Sequence, residues 1–224
     1  MWSIGLGLAS PIDPGARMAT ARRLGRPPDT SSEETRRRIL ESARRCFAAN
    51  GYEATSNRQL ADSAGLTTGA IYHYFGSKRD LFAEAYAQVQ EIVYQRFEAA
   101  MESAPERFVD RVNAVLDEAH LLNKEDPSLA RFLVAVRTDV SRDPDLGADP
   151  RFAPSNRIAF FGDLIELGVA NGEIQPENAR TMFDVISAVM MGLVSASSDN
   201  PETHARAVAG FKSLVSGTLI DPDA

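Results

Sequence analysis

Between Thr67 and Arg79 the chain reads Thr-Thr-Gly-Ala-Ile-Tyr-His-Tyr-Phe-Gly-Ser-Lys-Arg, and here side chains suited to recognition crowd together. Thr68, Tyr72, His73 and Tyr74, with Lys78 and Arg79 just beyond, offer hydroxyls, aromatic rings and cations, the groups that hold phosphates and reach base edges. Nothing comparable points to catalysis. Cys46 is the single cysteine and cannot form an internal disulfide, and His73, His120 and His204 have no metal-ligand spacing. No glycine-rich phosphate loop, nucleophile elbow or paired-carboxylate motif is present, so an enzyme has no specific support, and neither a cofactor nor a metal is expected. Cys46 stands beside Phe47 in an apolar pattern and reads as a buried, inert thiol. His120 and His204 read as having no partner at catalytic spacing.

To meet DNA, those side chains must stand on a short helix held at a fixed angle. Ser31 and Glu34 can form a capping box for a helix carrying Ile39, Leu40, Ala43 and Phe47 on one face and ending at Asn50-Gly51. Ser56 and Gln59 repeat the box for a helix of about two turns through Ala64, stopped by Gly65. Thr67 or Thr68 can cap a third helix over Ala70 to Tyr74, and Ser77 with Asp80 opens a long fourth. Only Gly65, Leu66 and Thr67 join the second helix to the third, which is helix-turn-helix geometry. Short helices joined this way also occur without DNA, and the exposed residue types decide between the two readings. Phe75 reads as core and Tyr72 as a contact residue. Arg36, Arg37, Arg38, Arg44 and Arg45 read mainly as a solvated face, with those near the helix start in reach of phosphate.

Charge is unevenly divided. The net charge is −7, yet residues 1–80 carry 12 Lys and Arg against 8 Asp and Glu, whereas residues 81–224 carry 12 against 23. A basic end on an acidic body suits a protein that meets phosphate at one end only. Residues 1–30 read as a disordered basic arm; Pro11, Pro14 and Gly15 break the brief apolar start, which makes no signal peptide, and Met18 is an alternative start. No apolar run reads as reaching the length of a membrane span, and a cytoplasmic protein is expected.

The run Ile39 to Leu81, and most specifically AGLTTGAIYHYFGSKRDL, resembles the DNA-binding domain of the TetR family of bacterial transcriptional regulators. The resemblance implies an all-α fold: a three-helix DNA-binding domain over 31–77, then a larger helical domain over 78–224 for ligand binding and dimerisation. It implies that Arg58 reaches a base edge or phosphate, that Thr68 and Ala70 face bases, and that Tyr72 and Lys78 hold phosphates. Thr67 and His73 complete the expected contacts.

From Leu81 onward the pattern is helical, with prolines at helix starts and a loop rich in Asp, Pro and Gly from Ser141 to Pro154. The resemblance implies a small-molecule cavity among the middle helices. Its candidate walls are Tyr86, Val89, Val93 and Phe97 on the fourth helix and Phe108, Val112, Leu116 and His120 on the next. Phe132, Val136 and Arg137 follow, then Phe160, Phe161 and Leu164 on a later helix. No cluster of cations stands out, so an apolar or weakly polar ligand is expected. The last two helices are expected to pair with a second copy through Met182, Ile186, Met190, Leu193 and Val194 against Val208, Phe211 and Val215, although a monomer could use these stripes internally. Together these point to a homodimeric repressor that binds a palindromic operator and is released by a small molecule. The alternative is an all-α enzyme or binding protein that never meets DNA.

Overall fold

In the computed structural model, which describes residues 28–199 and 201–217, every regular element is helical. Helix α1 (Pro28–Ala54) starts ahead of the expected cap; the arm over residues 1–27 and the capping role of Ser31 lie outside the described residues. Its expected stop is present as a break: Gly51 takes φ 77°, a left-handed conformation that glycine alone adopts cheaply. Helices α2 (Asn57–Ala64) and α3 (Thr68–Tyr74) follow, and then α4 (Lys78–Ser103) runs from this head into the body. The body adds α5 (Phe108–Glu125), α6 (Pro127–Arg142), the single turn α7 (Pro144–Gly147), α8 (Ser155–Ala170), α9 (Ala179–Asp199) and α10 (Pro201–Val215).

One apolar core runs through the whole arrangement. Ile39, Leu40 and Phe47 of α1 meet Leu60 of α2, Ile71 of α3, and Leu81 and Phe82 of α4. Phe82 has no exposed surface, and its ring lies 4.8 Å from Phe47, 4.9 Å from Tyr52, 5.6 Å from Phe132 on α6 and 5.4 Å from Phe152. Helix α1 packs along α6 as well as α4, α6 packs on α9, and α9 lies between α8 and α10.

Three expectations change here. Arg44 does not belong to a solvated face: it is 4% exposed, ion-paired with Asp126 and hydrogen-bonded to Ser128 Oγ at 3.2 Å, because α6 covers that side of α1. Burial pushes its guanidinium below the usual range while Asp126 pulls it back. Cys46 is half-buried rather than buried. The segment Pro176–Ala196 is long and apolar enough, by length and composition, to cross a membrane. Here it packs against α6, α8 and α10 and carries Arg180 ion-paired to Asp184 at 3.2 Å.

The expected loop from Ser141 to Pro154 is also ordered by chemistry. Asp143 and Asp149 cap the turns at 144–147 and 150–152, and Leu146 and Phe152 plug into the core. Asp149, with its carboxylate 8% exposed, accepts from Arg79 at 3.0 Å and from Arg151 at 2.7 Å, and Arg151 reaches Asp80 at 2.7 Å. The hydrogen bonds from Arg151, aided by Arg79, hold the Asp149 carboxyl far below the usual carboxylate range. A depressed carboxylate stabilises the fold above its unfolded value and loses that contribution as pH falls through the folded value. Asp149→Asn should therefore cost about 1 kcal/mol at neutral pH, a Tm drop of about 2–4 °C. In thermal denaturation the gap between variant and wild type should hold above the ordinary value of 3.8 and narrow below it.

Candidate nucleic-acid interface and ligand cavity

Local hydrogen bonds set α3. Ser56 and Gln59 form the expected box, with Gln59 N–H donating to Ser56 Oγ at 3.2 Å and Ser56 N–H donating to Gln59 Oε1 at 2.8 Å. Gly65 takes φ 65° and closes α2, its N–H donating to the Asp62 carbonyl at 3.2 Å. Thr67, not Thr68, caps α3: its Oγ1 accepts from Ala70 N–H at 3.2 Å. Ile71 and Phe75 anchor the inner face, each 1% exposed. Thr67, Thr68 and His73 are left exposed, with Ala70 and Tyr72 half-buried beside them. Tyr72 donates from its hydroxyl to Asn57 Oδ1, so this phenol is tied to the start of α2. Arg58 projects into solvent, with Asp62 near it at 3.7 Å.

Lys78 departs from its expected role. Its ammonium points inward, donating to the carbonyls of Tyr52 at 2.9 Å, Thr55 at 3.0 Å and Glu53 at 3.4 Å, and it sits 4.4 Å from the centre of the Tyr52 ring. The break at Gly51 leaves these carbonyls outside a regular helix, and Lys78 at the start of α4 satisfies them. The residue fastens α4 to the end of α1 and does not stand free for phosphate.

In the body, the helices line a partly open cavity of about 420 Å³. Of the expected wall residues, Tyr86, Val93, Phe97, Val136, Arg137 and Phe161 line it. Val89, Phe108, Val112, Leu116, Phe132, Phe160 and Leu164 do not; they face helix–helix seams and are buried core. His120 is also absent from the wall. Its ring stacks on His204 with Nδ1 atoms 3.3 Å apart, and His204 is the one that reaches the cavity, so the two histidines do partner each other. Burial, and then the neighbouring His120, push His204 down from its usual value.

The sequence reading missed Arg157, Gln90 and Asn123, which also line the cavity. Each has a buried polar atom without a partner: Arg157 Nε, Gln90 Oε1 and Asn123 Oδ1. The surplus of unmatched polar groups in an otherwise apolar chamber was a possible signal only once α4, α5 and α8 were placed together.

The expected dimer stripe is also redistributed. Ile186, Met190, Leu193 and Val208 are buried within the protomer, and Met190, Leu193 and Val194 line the cavity. Met182 and Phe211 pack against the core, and Val215 is half-buried. The stripe faces inward because α9 fills the space between α6, α8 and α10. The exposed large apolar side chains lie elsewhere, among them Ile158 on α8, Val185 on α9 and Leu214 on α10.

These positions separate stability from binding. Lys78→Ala strips three carbonyls of their donor and should lower stability by about 1–3 kcal/mol. Arg58→Ala should leave stability unchanged within about 0.5 kcal/mol, because its side chain is 90% exposed. Denaturant melts of the two variants, run beside DNA-binding titrations, check this.

Residues 39–85 match the model of bacterial regulatory proteins of the tetR family. The transcriptional repressor AcnR of Corynebacterium glutamicum is 34% identical over 128 residues, which span 50% of this chain and 68% of AcnR. The transcriptional regulator UidR of Escherichia coli is 25% identical over 196 residues, 85% of this chain and 95% of UidR. The crystal structure of the regulator FadR of Bacillus subtilis in complex with stearoyl-CoA superposes with a TM-score of 0.68 at 20% identity, covering 81% of this chain and 98% of FadR. With the helix-turn-helix in place and these similarities on both sides of it, the chain belongs to the TetR family of transcriptional regulators, not to an enzyme family.

Proposed function

We propose that the protein is a homodimeric, cytoplasmic repressor that binds a palindromic operator and releases it when a small molecule fills the cavity. Residues 31–77 serve as the DNA-binding unit and residues 78–224 as the ligand-binding and dimerisation unit. The observation that carries this reading is the continuity from α1 of the DNA-binding head to the cavity. Tyr86, Gln90, Val93, Tyr94 and Phe97 place α4 in the cavity wall, while its first residue, Lys78, is fastened to the end of α1. Helix α6 forms the opposite wall and grips α1 through Arg44–Asp126 and through Tyr52 N–H, which donates to Asp139 Oδ2 at 2.8 Å. A ligand that spreads α4 from α6 pulls on both attachments of the head.

On the DNA side, Thr68 and His73 read base edges, Ala70 offers a small apolar contact, Thr67 holds phosphate and Arg58 reaches a base edge or phosphate from α2, while Tyr72, whose hydroxyl proton goes to Asn57, braces α3 against α2 instead of holding phosphate. The effector has a largely apolar body, as the chamber requires. Binding to a fragment of the DNA upstream of its own gene should weaken steeply and linearly in log–log form with salt. In the same titrations Arg58→Ala should cost about 1–3 kcal/mol. A protein that never meets DNA would show no sequence preference and no such slope.

Dimerisation uses the outward faces of α8 and α9, which remain apolar after the protomer has folded. Ile158, Ala159, Val185, Ala188 and Gly192 lie there, and the small residues permit close helix approach. Val185→Asp should give monomers by sedimentation while keeping helicity, and operator affinity should fall by more than about tenfold because one half-site alone binds weakly. A variant that stays dimeric would place the interface elsewhere.

A further inference from the structure

Two arginines from different helices meet at the same chamber. Arg137 on α6 stands at its exposed rim and Arg157 on α8 lies in its wall, and the lining contains no aspartate or glutamate. Among the described residues neither guanidinium has a carboxylate within ion-pair distance. Arg137 donates to Ser195 Oγ at 3.0 Å, and the contact of Arg157 is the thioether of Met191, a weak acceptor. Arg157 Nε is fully buried and has no partner.

We propose that the effector is an amphipathic monocarboxylate, its acid group held by Arg157 and Arg137 and its apolar body lying among Tyr94, Phe97, Leu133 and Phe161. This deepens the effector reading above and rests on it. The buried Arg157 Nε without an acceptor costs free energy, and its half-buried guanidinium has no counter-charge in the chamber wall. A carboxylate supplies both the acceptor and the counter-charge, and its two oxygens match the planar fork of a guanidinium. A neutral ligand would leave the charge unmatched, and an ammonium would add a third cation to a chamber with no anion. The aromatic and aliphatic walls and the volume of about 420 Å³ suit a single apolar body of moderate size. The amides of Gln90 and Asn123, each with an unpartnered buried oxygen on α4 and α5, can take a hydroxyl or amide N–H along that body.

The test compares probes that share one chain and differ in the head group: decanoate, 1-decanol and decylamine, each titrated calorimetrically into the full-length protein at about pH 7.5, where the acid and the amine are both charged. Decanoate should bind at least about tenfold tighter than 1-decanol, with decylamine weakest. Arg157→Gln should cut the acid-to-alcohol ratio severalfold while leaving the alcohol unchanged, the double variant with Arg137→Gln should bring the ratio close to one, and Arg157→Lys, which keeps the charge, should restore part of the preference. Because Arg157 Nε lacks a partner, the Tm of these variants should be unchanged or higher, which separates a lost contact from a lost fold. Equal binding of acid and alcohol to the wild type overturns the proposal. So does tighter binding of the amine, no binding by any of the three probes, or an acid preference that survives in the Arg137→Gln, Arg157→Gln double variant. Operator affinity under saturating decanoate is a separate readout: acid preference with unaltered DNA binding upholds the carboxylate site and removes ligand-driven release instead.

Discussion

The packing of Phe82 is the constraint on which the other parts of this molecule depend. Its ring has no exposed surface and touches Phe47 and Tyr52 of the head and Phe132 and Phe152 of the body. A buried aromatic of this kind contributes about 3–5 kcal/mol relative to alanine, and here that energy is shared by elements on both sides. The DNA-reading helix is therefore not hung on a flexible linker. It packs on α2, which packs on α1, which is held by α4 and α6, and those two helices form walls of the cavity.

Ionic contacts around that apolar centre define its direction. Arg44 with Asp126 and Ser128, Asp139 with Tyr52 N–H, and Lys78 with the carbonyls beyond Gly51 all cross from head to body or from α1 to α4. Apolar packing alone tolerates sliding, because it has no preferred angle; hydrogen bonds to single atoms do not. A shift at the cavity wall is thus met by discrete contacts that must hold or break. Coupling between two sites requires an element with distinct arrangements, and the contacts of this seam are the ones such a change would break.

What could be read from the sequence was what short-range chemistry specifies. The Ser56–Gln59 box, the left-handed Gly65 and the Thr67 cap lie within a few residues of the groups they satisfy, so the helix-turn-helix was legible without knowing what packs on it. Arg44 and Lys78 were misread for the opposite reason. Arg44 looks like any member of a basic helix face until α6, more than 80 residues later, covers it. The family resemblance assigns Lys78 to phosphate, but its position beside three carbonyls follows from the break at Gly51 and the angle at which α4 leaves the head. The same holds for Arg157, whose significance depends on which cavity it borders.

Helix α9 shows the limit most sharply. Met182, Phe183, Val185, Ile186, Val189, Met190 and Leu193 make it apolar around much of its circumference, so periodicity identifies a helix but not which side turns to its own core. Inward packing claims Ile186, Met190 and Leu193, and it leaves Val185, Ala188 and Gly192 outside. One helix thereby touches both the proposed effector, through Met190, Met191 and Leu193, and the face proposed to meet a second copy. Its side chains cannot be repacked around a ligand without altering the spine on which the partner rests, because interiors at crystal-like density transmit displacement rather than absorb it. In the proposed dimer a bound effector would act on the separation of the two recognition helices by two routes at once, the tilt of α4 within a protomer and the set of α9 between protomers.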